Sequence, residues 1–277
     1  MMISIVGEAF LPRQSRQECL SHTTPAFYSR VSMAKTHLRP TATSIALLIP
    51  TFWISLYLAW NSLSAVNFVY PWLYNQMDLG ATIEKFGPQN RYKESFGHTD
   101  RAEHIRLFSQ IVHAINNNGE GLETIRYHDP QGRPIDTLLR TPEVVHLQDV
   151  ANLLAVLRIV SYIAIAGWVV LVALIIHYRI PIPPVRRLLL ITAATCATAA
   201  GAVIALGATN VFYALHTWIF PPDHQWFFYY QESLMTTLMK APDIFGYIAV
   251  LLVIAAIAYF TVMLWAIRRV TAVSKNR

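Results

Sequence analysis

Hydrophobic and polar positions along this chain segregate into blocks rather than alternating. Four apolar runs, at about 43–65, 151–177, 188–215 and 244–267, are each long enough to cross a hydrocarbon layer that takes about 20 residues of helix. The last of them, Ile244–Ile267, carries no charged residue. Between the first two runs the pattern changes. The stretch "DRAEHIRLFSQIVHAINNN" (100–118) places Ile105, Phe108, Ile111, Val112 and Ile115 at helical spacing, with Asp100 and Glu103 as a start and "NNNGEG" as a stop. This helix is expected to lie on the membrane surface or to cap the bundle. "LETIRYHDPQGRPIDTLL" (122–139) reads as two short strands around an Asp-Pro-x-Gly turn.

Together these elements predict an all-α polytopic membrane protein. Transmembrane helices at 43–65, 151–177, 188–215 and 244–267 enclose a long first loop, 66–150, that holds the surface helix and a β-hairpin. The second loop, 216–243, is short and aromatic. Within the third run, Ala193, Ala197 and Gly201 sit four apart, the spacing of a close helix–helix seam.

Composition agrees, since 54% of residues are hydrophobic and 14% are charged. A typical soluble domain carries about 25% charged residues. The net charge of +6 is a topology signal rather than a nucleic-acid surface. Its excess sits in 1–42, 178–187 and 268–277, whereas 67–150 holds eleven acids against eight basic residues. Both termini are therefore expected in the cytoplasm, with the two loops outside. "MAKTHLRPTATSIALL" makes Met33 a second candidate start, and Cys19 and Cys196 are placed too far apart in the topology to pair.

Candidate chemistry gathers at two helix ends. In "TPEVVHLQDV" (141–150), Thr141 and Pro142 form a helix start, and Glu143, His146 and Asp149 recur every three residues on one face. At about 1.5 Å of rise per residue, His146 lies near headgroup depth. Flanking carboxylates can orient an imidazole and raise its basicity, as a general base near neutral pH requires. The competing reading is an interfacial histidine that only anchors its helix. At the end of the third run, "NVFYALHTWIF" spaces Asn210, Tyr213 and His216 three apart at the same depth, ahead of the Pro221–Pro222 stop. The following Trp226–Tyr230 run reads equally as an aromatic belt. Arg158, two turns inside the second run, is a costly charge that meets a lipid phosphate, pairs with a carboxylate or snorkels outward. No serine-nucleophile elbow, zinc-helix motif or phosphate-cradling glycine loop is present in the sequence.

The Glu-x-x-His-x-x-Asp-Val element, a span, and then "LHTWIF" before an aromatic stretch resemble the lipoprotein intramolecular transacylase family over about 45–265. The resemblance implies a membrane-embedded acyltransferase acting on diacylglyceryl-modified bacterial lipoproteins among membrane lipids. It would move the sn-2 acyl chain to the α-amine of the N-terminal cysteine and leave an N-acyl lyso-form product. The family's two important histidines match His146, as general base, and His216. Glu143, Asp149, Asn210 and Tyr213 are the supporting candidates, and Arg158, Trp218, Phe220 and Trp226 the substrate-binding ones. The same resemblance implies the bacterial inner membrane and no cofactor or metal, while the charge distribution puts the site on the outer face and leaves no basic patch for a nucleic-acid partner. The N-terminal tail and the loop before Glu143 are long for this family. Three other readings stay open: another lipid-directed membrane enzyme, a haem or quinone protein ligated by the two histidines, and a non-catalytic accessory subunit.

Overall fold

The structure is a computed structural model that describes residues 25–275. The start of the N-terminal tail, with Cys19, lies outside the described residues. Among the described residues, four helices are long and apolar enough to cross a membrane. They are the segment Ile45–Ala65 of α1 (Pro25–Ala65), α5 (Thr141–His177), α6 (Val185–Leu206) and the segment Asp243–Ala272 of α9 (Asp243–Lys275). A helix satisfies its own backbone polar groups, which is what hydrocarbon demands of a spanning segment. The apolar side chains are then free to face outward, and Ile159, Ile163, Val170 and Ile254 do so.

α1 packs along α9 and α5. With no water to drive apolar burial between helices in lipid, hydrogen bonds across the seams add specificity. Trp168 donates its indole N–H to Thr51 Oγ1 at 2.8 Å, and Trp53 donates to Ser161 Oγ at 3.1 Å. At the far end, Leu47, Ile175, Leu188, Phe260, Leu264 and Ile267 close a small apolar cluster.

The third apolar run departs from a single 188–215 helix. It divides at Gly207 (φ 84°, ψ 119°) into α6 and α7 (Ala208–Ile219). Glycine alone enters this backbone region without a steric penalty. The small residues Ala193, Ala197 and Gly201 are exposed, so they form no seam within this chain.

The long connection between α1 and α5 folds into a cap. Its helices are α2 (Tyr70–Gln76), α3 (Leu79–Phe86) and α4 (Arg101–Asn116), joined by a two-stranded antiparallel hairpin, β1 (Arg126–His128) and β2 (Pro134–Thr137). Asp100 caps α4 by accepting the Glu103 N–H at 2.8 Å. The helical stripe read from sequence turns inward, and Leu107, Phe108, Ile111 and Val112 are buried against Leu73, Leu122 and Leu138. The chain enters the cap through three consecutive left-handed residues, Asn67, Phe68 and Val69. Such backbone costs an L-residue about 1–2 kcal/mol. Burial of Phe68, edge-on to Trp60 at 5.0 Å, offsets part of that cost.

The polar core of the cap has a determined hydrogen-bond order. Thr99 Oγ1 donates to the Phe96 carbonyl at 2.6 Å, so it accepts from His104 Nε2 at 2.7 Å. His104 Nδ1 then accepts from the Tyr74 hydroxyl at 2.9 Å. Burial holds this imidazole neutral, with its pKa pushed down to about 4.

Candidate active site

α5 begins inside the cap and runs without a break into the bundle, so the cap and the membrane helices share one rigid strut. Pro142 occupies its first turn. The capping group is the Glu143 carboxylate, which folds back to accept the Arg140 N–H at 2.7 Å; the Thr141 hydroxyl makes no cap. Glu143 is fully buried and also accepts from Ser233 Oγ. Ser233 in turn caps α8 (Leu234–Met239), accepting the Thr236 N–H at 2.9 Å. One carboxylate thus ties the start of α5 to the short buried helix of the second loop.

Asp149 is engaged from the same loop. His224 Nδ1 donates to its carboxylate at 2.7 Å, and that hydrogen bond pushes the His224 pKa upward. Neither carboxylate makes the expected orienting hydrogen bond to the His146 ring. Three-residue spacing puts the groups on one face, but each carboxylate finds a donor on the second loop. His146 is left buried, with Nδ1 making no hydrogen bond.

The His146 ring instead faces His216 from α7. The ring centroids are 6.1 Å apart with planes inclined by 33°. Both line a cavity of about 380 Å³ whose walls are otherwise almost wholly apolar, among them Trp60, Phe108, Val112, Met235 and Phe245. His216 Nδ1 lies 2.8 Å from the Phe212 carbonyl, which can only accept. The proton is thus on Nδ1, and Nε2 presents a lone pair. Phe220 stands edge-on to His146 at 4.9 Å, and the Trp226 ring lies 4.9 Å from His216. Among the described residues no cluster of three His, Cys, Asp or Glu is close enough to hold a metal ion.

The family model for the lipoprotein intramolecular transacylase Lit matches residues 43–245. The chain belongs to the lipoprotein intramolecular transacylase family. Its members are acyltransferases, and the matched region of this transacylase contains both histidines, the buried carboxylate and the whole aromatic loop. Solved structures of the membrane-integral Lit from Bacillus cereus share its fold. A form with a histidine-to-arginine substitution aligns at 14% identity with TM-score 0.60, over 89% of this chain and 98% of that one. A second structure, in another crystal setting, aligns at 15% identity with TM-score 0.58, over 87% and 99%. Curated protein sequences give no match.

The remaining candidates in this transacylase separate cleanly. Tyr213 lines the cavity, with its ring 5.5 Å from Trp226. Asn210 does not; its amide donates to the Leu206 carbonyl at 3.0 Å beside the Gly207 break. Trp218 is 83% exposed and points away from the site. Arg158 braces the cap, donating to the Asn116 carbonyl at 3.2 Å and to Asn118 Oδ1 at 2.7 Å. Two contributors escaped the sequence reading, Ser233 and His224, and Phe228, read there only as part of the aromatic run, has its ring 6.3 Å from His146. Ser233 carried a signal, because a serine before "LMTTLM" is a helix-cap residue.

Proposed function

We propose that this transacylase moves the sn-2 acyl chain of a diacylglyceryl-modified lipoprotein to the α-amine of the same N-terminal cysteine. The observation that carries this reading is the pair of neighbouring imidazoles, 6.1 Å apart, that line one apolar cavity. An acyl chain fills apolar volume, and the ester and amine need proton transfer at its polar end. The neutral amine nitrogen attacks the ester carbonyl, a C–N bond forms, and His146 accepts the proton that the nitrogen sheds. The tetrahedral intermediate collapses with cleavage of the C–O bond, and a proton passes through the histidine pair to the sn-2 oxygen. The pair ends in the protonation state in which it began, and His216 Nε2 is the group that addresses the departing oxygen. Tyr213 is the hydroxyl available to the oxyanion. Amine and ester belong to one molecule, so orientation replaces a bimolecular encounter.

The charge distribution supports both termini in the cytoplasm and a site on the outer face of the bacterial cytoplasmic membrane. The test is mass spectrometry of a lipoprotein reporter's N-terminus in cells carrying this chain or its His146→Ala variant. The expected result is an N-acyl monoacylglyceryl product with the parent chain and only the diacylglyceryl form with the variant. Unchanged product from the variant removes His146 as the base, and an unchanged profile with the parent chain removes the reaction.

A further inference from the structure

A second cavity lies back to back with the histidine cavity. It measures about 340 Å³ and shares one lining residue, the buried Val112, with the first. Trp60 completes the partition. Its ring faces the histidine cavity, while its indole N–H donates to Asn116 Oδ1 at 2.9 Å on the other side. The second cavity has the opposite chemistry. Asn61, Ser64 and Asn67 come from the end of α1 and the turn beyond it, and Ser109, His113 and Asn117 from α4. No Lys, Arg, Asp or Glu lines it. The Asn67 carboxamide and the Ser109 hydroxyl make no hydrogen bond among the described residues. The strained turn joins the two cavities, because it sends Phe68 into the apolar one and Asn67 to the polar one.

We propose that this polar cleft binds the polypeptide main chain of the lipoprotein just after its lipid-bearing cysteine; the proposal rests on the reaction proposed above. Carboxamides and hydroxyls offer donors and acceptors together, which matches the alternating N–H and C=O of a peptide. A phosphate headgroup calls for cationic donors, and the cleft has none. Ala65 ends the membrane-spanning part of α1 and also lines the cleft, so the cleft opens where a peptide leaves the bilayer. The partition is one layer of side chains thick. Packed elements stand about 8–10 Å apart, which about three extended residues cover.

The experiment compares two substrates on the purified full chain: a diacylglyceryl-cysteine amide and the same lipid on a longer peptide. N-acylation is followed by mass spectrometry with the parent chain, with Ser109→Phe, which fills the cleft, and with Ser109→Ala, which removes only the hydroxyl. The parent chain is expected to show the lower KM for the longer substrate. Ser109→Phe is expected to raise that KM about tenfold with kcat retained and to leave the single-residue substrate unchanged. Ser109→Ala is expected to move the same KM in the same direction by less. Equal KM values for both substrates with the parent chain, or an equal loss on both with Ser109→Phe, overturn the cleft alone. Competition by phospholipid vesicles but not by the unlipidated peptide makes it a lipid site and overturns the proposal too. Conversion of neither substrate by the parent chain overturns the reaction and the cleft together.

Discussion

His146 and His216 stand side by side on the lining of one cavity, but the segments that hold them are built differently. His146 stands on the first turns of α5, where Glu143 is tied to Arg140 and Ser233 and Asp149 to His224. α7, which carries His216, buries none of its residues. It follows the Gly207 break, and the hydrogen bond of His216 stays within its own helix. Local stability follows buried contacts and satisfied polar groups, so one half of the site is preset and the other is compliant.

The largest effect should come from the preset half. Glu143→Ala leaves the half-buried Arg140 N–H and the buried Ser233 hydroxyl without their acceptor, and the expected loss is about 3 kcal/mol, read as a fall in Tm. An unchanged Tm would mean that the cap does not hold His146 through Glu143.

The next effect separates the cap by pH. Burial lowers the His104 pKa to about 4. A histidine held neutral in the fold contributes stability that is complete above its unfolded pKa of about 6.5. That contribution is lost as pH falls through the folded value, on the order of 3 kcal/mol by pH 4. Tm should therefore drop between these limits, and His104→Gln should flatten the drop; equal slopes would dispose of the assignment.

On the compliant side, Gly207→Ala places a Cβ 3.2 Å from Asn210 Nδ2 at a φ of 84°. The strain is about 1–2 kcal/mol. Because no residue of α7 is fully buried, the expected signature is reduced kcat with little change in Tm, and a full Tm loss with normal kcat would reverse the comparison. The smallest effect belongs to His224→Gln, which weakens a partly exposed pair. It should leave Tm unchanged and move the pH dependence of acyl transfer, since the pKa of His224 is raised by Asp149.

Part of the candidate site was legible in the chain. His146 and His216 were found from their depth relative to the apolar runs, and the structure places their rings 6.1 Å apart. Tyr213 followed from the same depth argument, and Phe220 and Trp226 were named with the family resemblance; all three lie beside the two rings. The partners of Glu143 and Asp149 were not legible. Helical spacing says which side chains share a face, but Ser233 and His224 lie far along the chain, and only the packed loop brings them to the carboxylates. The partners of Arg158 were hidden for the same reason, since Asn116 and Asn118 reach it only through the packed cap.

The sequence by itself determined the four spanning helices, the capped α4 and the hairpin, because periodicity, caps and turn residues act over a few neighbouring positions. Tertiary structure decided where the third run breaks, which donors satisfy the buried carboxylates, and that an apolar cavity and a polar cleft share Val112. Those outcomes depend on contacts between distant segments, where each buried polar group takes whichever partner the fold brings within hydrogen-bond reach.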